Sequence, residues 1–158
     1  MKRVRKNEME HKPPEDSFDH NLIPSEKLSL LKIKVGKNHR KESDWDVIKD
    51  VLSSYRIITI EPATKVIGFR VIEHVLCRGN TLFVFTNVED CQEYIKSVAR
   101  DAGGTGIYFS MGSIGLDDVI DIAHREHMDI YIDANGDKNR KFIRYSWSNE
   151  TLAVSMLG

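Results

Sequence analysis

Between Leu82 and Ala102 the chain changes its hydrophobic period, and that change constrains its fold more than any other feature. Leu82, Phe83, Val84 and Phe85 form an uninterrupted apolar run of the kind that suits a strand. Thr86 and Glu89 follow as a T-x-x-E capping box. Val88, Cys91, Ile95, Val98 and Ala102 then recur on one helical face, with Glu89, Glu93, Lys96 and Arg100 on the other, until Gly103-Gly104 ends the helix. A strand that runs straight into an amphipathic helix needs a sheet for that helix to cover. The fold class expected is therefore α/β in the α+β sense, a mixed β-sheet with about three helices packed on it.

The flanking segments extend the pattern. Ser43 and Asp46 resemble a capping box, and Trp45, Ile48, Val51, Leu52 and Tyr55 give a first helix near 44–55. Ile57, Ile58, Thr59 and Ile60 are β-branched and run to Pro62, where a ladder stops. Residues 65–77 alternate loosely, and Arg78-Gly79-Asn80 turns them into 81–85 as a hairpin. Ile107 to Phe109 is a short strand; Leu116, Val119, Ile120 and Ala123 line another helix, whose Asp117 and Asp118 suit the positive end of the helix dipole. Residues 130–132, a turn around Asn135-Gly136, and residues 141–147 close the order as a hairpin. Residues 1–21, with Pro13, Pro14 and many charges but few large apolar side chains, read as a flexible charged arm, leaving 22–158 as one domain.

Bulk properties narrow the function classes. The 158 residues, 41% hydrophobic, suffice for one core without staples. Lysine plus arginine number 23 against 24 acidic residues, a net charge of −1, so no summed field draws the molecule to nucleic acid or to an anionic membrane. Cys77 and Cys91 lie in apolar stretches and read as buried, reduced thiols. Lys2, Arg3, Arg5 and Lys6 open the chain, but Glu8, Glu10, His11 and Lys12 stand where a signal peptide would be apolar. No stretch reaches the roughly 18–20 apolar residues of a membrane helix, and the expected address is the cytoplasm.

The run Leu82-Phe83-Val84-Phe85-Thr86-Asn87-Val88-Glu89-Asp90-Cys91 resembles the F-T-S-x-E-x-A signature of the SseB amino-terminal domain family. Two further stretches are similar to that family: the helix leading into a proline-ended strand from Val51 to Pro62, and the Asp133-Ala134-Asn135-Gly136 turn before Arg140-Lys141-Phe142. The resemblance covers roughly residues 44–145, and the proline usual after the strand asparagine is absent. It implies a bacterial α/β domain in a non-enzymatic role, with no catalytic residues to carry over.

Each motif with chemical potential has a plainer reading beside it. Asp133-x-Asn135-x-Asp137 starts like a calcium loop, but Lys138 stands where the sharp turn needs glycine and Arg144 where a bidentate glutamate belongs, so a hairpin turn is preferred. His124 and His127, near Asp121, lack the H-E-x-x-H order and a third ligand, and histidines are favoured at helix carboxyl ends by the dipole alone. The glycine-rich stretch 101–106 leaves a helix rather than opening one, which fits a carboxyl cap better than a phosphate loop. The stretch 110–117 is expected to run as a loop from strand to helix. Ser110, Gly112, Ser113, Gly115 and Asp117 are its candidate ligand-binding residues, with capping by Ser113 as the simpler use. The apolar Thr151 to Leu157 segment either closes its own sheet or offers Leu152, Val154, Met156 and Leu157 to another chain. No catalytic residue, metal site or cofactor is assigned. The reading preferred is a protein-interaction or regulatory module, with a protein partner or homo-oligomer, no nucleic acid and no membrane. Its rivals are a small-ligand or enzymatic domain using 110–117 and an immunity-type inhibitor.

Overall fold

The computed structural model describes residues 7–8, 22–24, 26–29, 53–103 and 107–157. The first expected helix, 44–55, falls mostly outside them, as do Gly104 to Gly106. The described strands are β1 (Asn7–Glu8), β2 (Arg56–Pro62), β3 (Phe69–Ile72), β4 (Val75–Arg78), β5 (Thr81–Val84), β6 (Phe109–Gly115), β7 (Asp129–Ile132), β8 (Phe142–Ser146) and β9 (Thr151–Ser155). The helices are α1 (Val88–Asp101) and α2 (Leu116–Glu126), with a further helical turn over 26–29. Neither α1 nor α2 is long and apolar enough to cross a membrane.

A six-stranded mixed sheet, ordered β3-β4-β5-β7-β8-β9, carries the fold. Only β5 and β7 are parallel, and the chain between them passes through α1, β6 and α2. The alternation of side chains explains why the run 82–85 is apolar throughout. Leu82 and Val84 join a core with Val75, Cys77, Ile130, Ile132 and the α2 residues Val119, Ile122 and Ala123. Phe83 and Phe85 join a second core with Leu76, Phe142 and the α1 residues Cys91, Tyr94 and Val98. Of α1 and α2, one therefore covers each face, and a polar residue at 82–85 would face a buried core in either register.

A three-stranded antiparallel sheet, β1-β6-β2, packs beside this layer. Ile58 and Phe85 exchange backbone hydrogen bonds of 2.7 and 3.0 Å, stitching β2 to the end of β5. Leu22 bridges Arg56, while Ile23 and Leu28 reach the α2-side core. Asn7 and Glu8, inside the segment read as an arm, pair with Met111 and Ser110.

Several local expectations are corrected. The stretch 65–77 is broken into β3 and β4 by Glu73 and His74, both left-handed (φ 48° and 70°), which supplies a tight turn without glycine. The segment 110–115 is a strand rather than a loop, because β2 opposes it residue by residue from Arg56–Gly115 to Pro62–Phe109. Thr86 does not cap α1; Asn87 does, its side chain accepting from the Asp90 amide at 2.8 Å. Ser113 does not cap α2, whose N-cap position is Gly115 with no side-chain bond. The β7–β8 connection spans 133–141, longer than a two-residue hairpin, and Gly136 (φ 92°) but not Asn135 is left-handed in it. The closure of α1 is as expected: Gly103 is left-handed and its amide donates to the Arg100 carbonyl at 3.2 Å.

Candidate functional site

The carboxyl ends of β5 and β7 lie side by side, where sheets with parallel strands tend to place their ligands. Here the position is filled by a polar cluster of the chain's own making. The Asp133 amide continues the ladder to the Val84 carbonyl at 3.0 Å, and its left-handed backbone (φ 71°) turns the carboxylate back over the strand ends. That carboxylate is 0% exposed. One oxygen accepts from the Thr86 amide at 2.7 Å and the other from the Thr86 hydroxyl at 2.6 Å. Burial of a charge is tolerated because charge-assisted hydrogen bonds satisfy it.

A second carboxylate sits in the first turn of α1. Asp90, buried at 7% exposure, accepts from Asn87 Nδ2 and from Asn135 Nδ2, each at 2.8 Å, and is paired with the Arg140 guanidinium. Asn135 Oδ1 in turn accepts from the Asp137 amide at 2.9 Å. Thr86 from the β5–α1 turn thus holds Asp133, and Asp90 from the first turn of α1, braced by Asn87, holds Asn135 and Arg140 from the β7–β8 connection. Cys91 lies beneath, fully buried, and burial first, then the charges of Asp133 and Asp90, push its thiol well above the ordinary range. It is a protonated core residue, not a nucleophile.

The residues anticipated on 110–117 do not converge. Alternation along β6 sends Ser110 and Gly112 to one face and Ser113 and Gly115 to the other. Ser110 Oγ donates to the Glu61 carbonyl at 3.4 Å, Gly112 stands opposite Thr59, and Ser113 takes Arg56 Nε on its hydroxyl at 3.1 Å and Arg56 Nη2 on its carbonyl at 2.7 Å. Asp117 accepts from the Asp118 amide at 3.0 Å in the first turn of α2. The two histidines part company as well: His124 Nε2 lies 2.5 Å from the Tyr145 hydroxyl and 3.6 Å from Glu150, whereas His127 stacks on Trp147 with centroids 4.3 Å apart.

At the carboxyl end, β9 lies at one edge of the six-stranded sheet and pairs with β8 from Thr151–Ser146 to Ser155–Phe142. Leu152 is buried, Val154 packs partly against the α2-side core and Leu157 partly against the α1-side core, and Met156 is 55% exposed. Sequence reasoning placed Asp133 and Asn135 in a turn and missed their tie to Thr86 and Asp90. The available signal was that two apolar strands each end in a short polar residue, which becomes informative once those strands are neighbours. Compared with family models, curated proteins and solved structures, the chain matches none of them.

Proposed function

We propose that this chain is a cytoplasmic, SseB-like, non-catalytic interaction module that associates with a second copy of itself through the free edge of β9. The observation that carries the reading is the composition of that edge. Thr151-Leu-Ala-Val-Ser-Met-Leu157 contains no charge and no proline, and β9 pairs only with β8 among the described residues. Edge strands are normally blunted by lysine, proline or a bulge, and an unblunted edge is a template for another strand. Two copies paired antiparallel about a twofold set Leu152 opposite Val154 and bring no like charges together. A net charge of −1 adds little long-range repulsion.

Three further observations support the reading. Asp133 and Asp90 at the ends of β5 and β7 are engaged by internal bonds, and Arg140 pairs with Asp90 through Nη2 while its Nε is buried with no partner among the described residues. Both cysteines are free and buried, which suits a reducing compartment. Two of the three stretches behind the family resemblance, 82–91 and 133–142, meet through Thr86–Asp133 and Asp90–Asn135. The small-ligand reading of 110–117 loses the loop on which it rested.

The test is the mass in solution, read by light scattering on a sizing column. The wild-type chain is expected at twice 18.1 kDa, and Ala153→Lys, which sets two like charges against each other at the twofold, at 18.1 kDa with an unchanged circular dichroism spectrum. A wild-type mass of 18.1 kDa at high micromolar concentration overturns self-association. Deleting the strand is a poor test, because Leu152 belongs to the core.

A further inference from the structure

We infer that Asn135-Gly136 is a modification site, a deamidation point whose product releases the β7–β8 connection from α1. It is the one Asn-Gly pair in the sequence. Each half is required by the fold for a separate reason. Gly136 is left-handed (φ 92°), and a Cβ there would meet Ser97 Oγ at 2.6 Å and Ser97 Cβ at 2.7 Å, so no other residue fits without moving α1. Asn135 is required because its amide nitrogen donates to buried Asp90 while its oxygen accepts from the Asp137 amide. The fold therefore retains the dipeptide that cyclises most easily, since nothing on a following glycine shields the side-chain carbonyl from its backbone nitrogen.

The reaction needs only water. The Gly136 amide nitrogen loses its proton and bonds to Asn135 Cγ; the Cγ–Nδ2 bond breaks and ammonia carries the proton away, leaving a succinimide. Water then adds to one of the two ring carbonyls, opening it to an aspartyl or an isoaspartyl linkage. In sum, an amide and water become a carboxylate and ammonium.

The consequences follow from Asp90. At 2.8 Å from its carboxylate, a hydrogen-bond donor is replaced by a group that only accepts and bears the same charge. The isoaspartyl form also lengthens the backbone beside Ser97, where no space exists. Contacts between 135–140 and α1 are lost in either case, while the Asp133–Thr86 bonds lie outside the altered bond. In the intact protein both polar atoms of the Asn135 amide are engaged, so cyclisation awaits local opening of the connection. The modification is thus a one-way record of how often that connection opens.

The experiment ages the full chain near neutral pH and follows each asparagine by peptide mass spectrometry, natively and in urea. Residue 135 is expected to convert first in urea and about tenfold more slowly in the native protein, and Arg140→Gln, which weakens the Asp90 cluster, to raise the native rate. Asn135→Gln, whose longer side chain disfavours the five-membered ring, is expected to remain unmodified. Asn135→Asp is expected to speed hydrogen exchange across 133–141 and the first turn of α1. Equal native and unfolded rates, another asparagine converting first in urea, or wild-type exchange in Asn135→Asp would overturn the inference; if that variant does not fold, the rates alone decide.

Discussion

Replacing Asp133 by alanine tests most directly whether the polar cluster holds the two halves of the sheet together. The carboxylate is 0% exposed and serves two Thr86 donors, at 2.7 and 2.6 Å, with Thr86 itself 6% exposed. Each donor left buried without a partner costs about 1–3 kcal/mol. The hydroxyl can rotate toward another acceptor, whereas the backbone amide cannot, so the amide sets most of the loss. Alanine also tolerates the left-handed backbone at 133 (φ 71°) less well than aspartate, adding about 1 kcal/mol. Removing a buried charge returns some desolvation energy, and the net expectation is a loss of about 3 kcal/mol, a large share of the 5–15 kcal/mol typical of a domain. Asparagine, which keeps one acceptor and the turn preference, is expected to lose about 1 kcal/mol. Urea unfolding followed by far-ultraviolet circular dichroism measures both, with an unchanged denaturant slope required for a purely native-state effect. A double-mutant cycle with Thr86→Val should return a coupling of about 0.5–3 kcal/mol. Asp133→Ala within about 0.5 kcal/mol of wild type, or an additive cycle, refutes the assignment.

Other consequences are equally direct. Burial pushes the Tyr94 and Tyr145 phenols above the ordinary tyrosine range, with Arg78 opposing the shift at Tyr94 and Glu150 adding to it at Tyr145. Above about pH 10 the unfolded chain releases protons that the fold retains, so stability that is fully present at lower pH falls by about 1.4 kcal/mol per pH unit for each. Urea titrations at alkaline pH should show Tyr94→Phe removing one such unit of slope at little neutral-pH cost, because the Tyr94 hydroxyl is buried with no hydrogen-bond partner among the described residues. Cys91 and Cys77, both 0% exposed with thiols pushed up chiefly by burial, should resist alkylation in the native chain even at about pH 9 and react fully in guanidinium; native labelling at a free-thiol rate would contradict their placement. Gly136→Ala should lose about 1–3 kcal/mol by thermal or urea unfolding, and Ser97→Gly should recover part of it by removing the clash while leaving the φ strain.

The parts of this fold legible in the sequence are those whose signal is local. The apolar run 82–85, Cys91 and Val98 of α1, and Leu116, Val119 and Ala123 of α2 each face the interior that their period indicates, whereas Ala102, expected on the α1 stripe, is exposed at the helix cap. The strand β6 was illegible for the opposite reason. Ser110-Met-Gly-Ser-Ile-Gly115 has the glycine and serine content of a loop, and it becomes a strand because β2, some fifty residues earlier, supplies a partner at every position. Glu73-His74 hid a turn in the same way, since neither residue advertises a positive φ and only the pairing of β3 with β4 imposes it.

The candidate site shows how a correct local signal acquires a different use. Asn135-Gly136 reads as a tight hairpin because glycine tolerates positive φ and asparagine commonly does too. In the fold the glycine does adopt φ 92°, but its lack of a side chain is also needed against Ser97 of α1, and the asparagine serves as a donor to Asp90 of the same helix. Thr86 likewise has the chemistry of a helix cap, yet its hydroxyl and amide both go to Asp133, and the cap passes to the next residue. In each case the residue type followed from what its backbone or side chain can do, and the choice of partner followed from β5 and β7 being parallel neighbours, a fact about topology that no window of consecutive residues contains. A test of this order of causes is to substitute Asn87, the true cap, and Thr86 separately by alanine. If the cap is local and the Thr86 bond is tertiary, Asn87→Ala should speed exchange mainly in the first turn of α1, whereas Thr86→Ala should speed it at the ends of both β5 and β7.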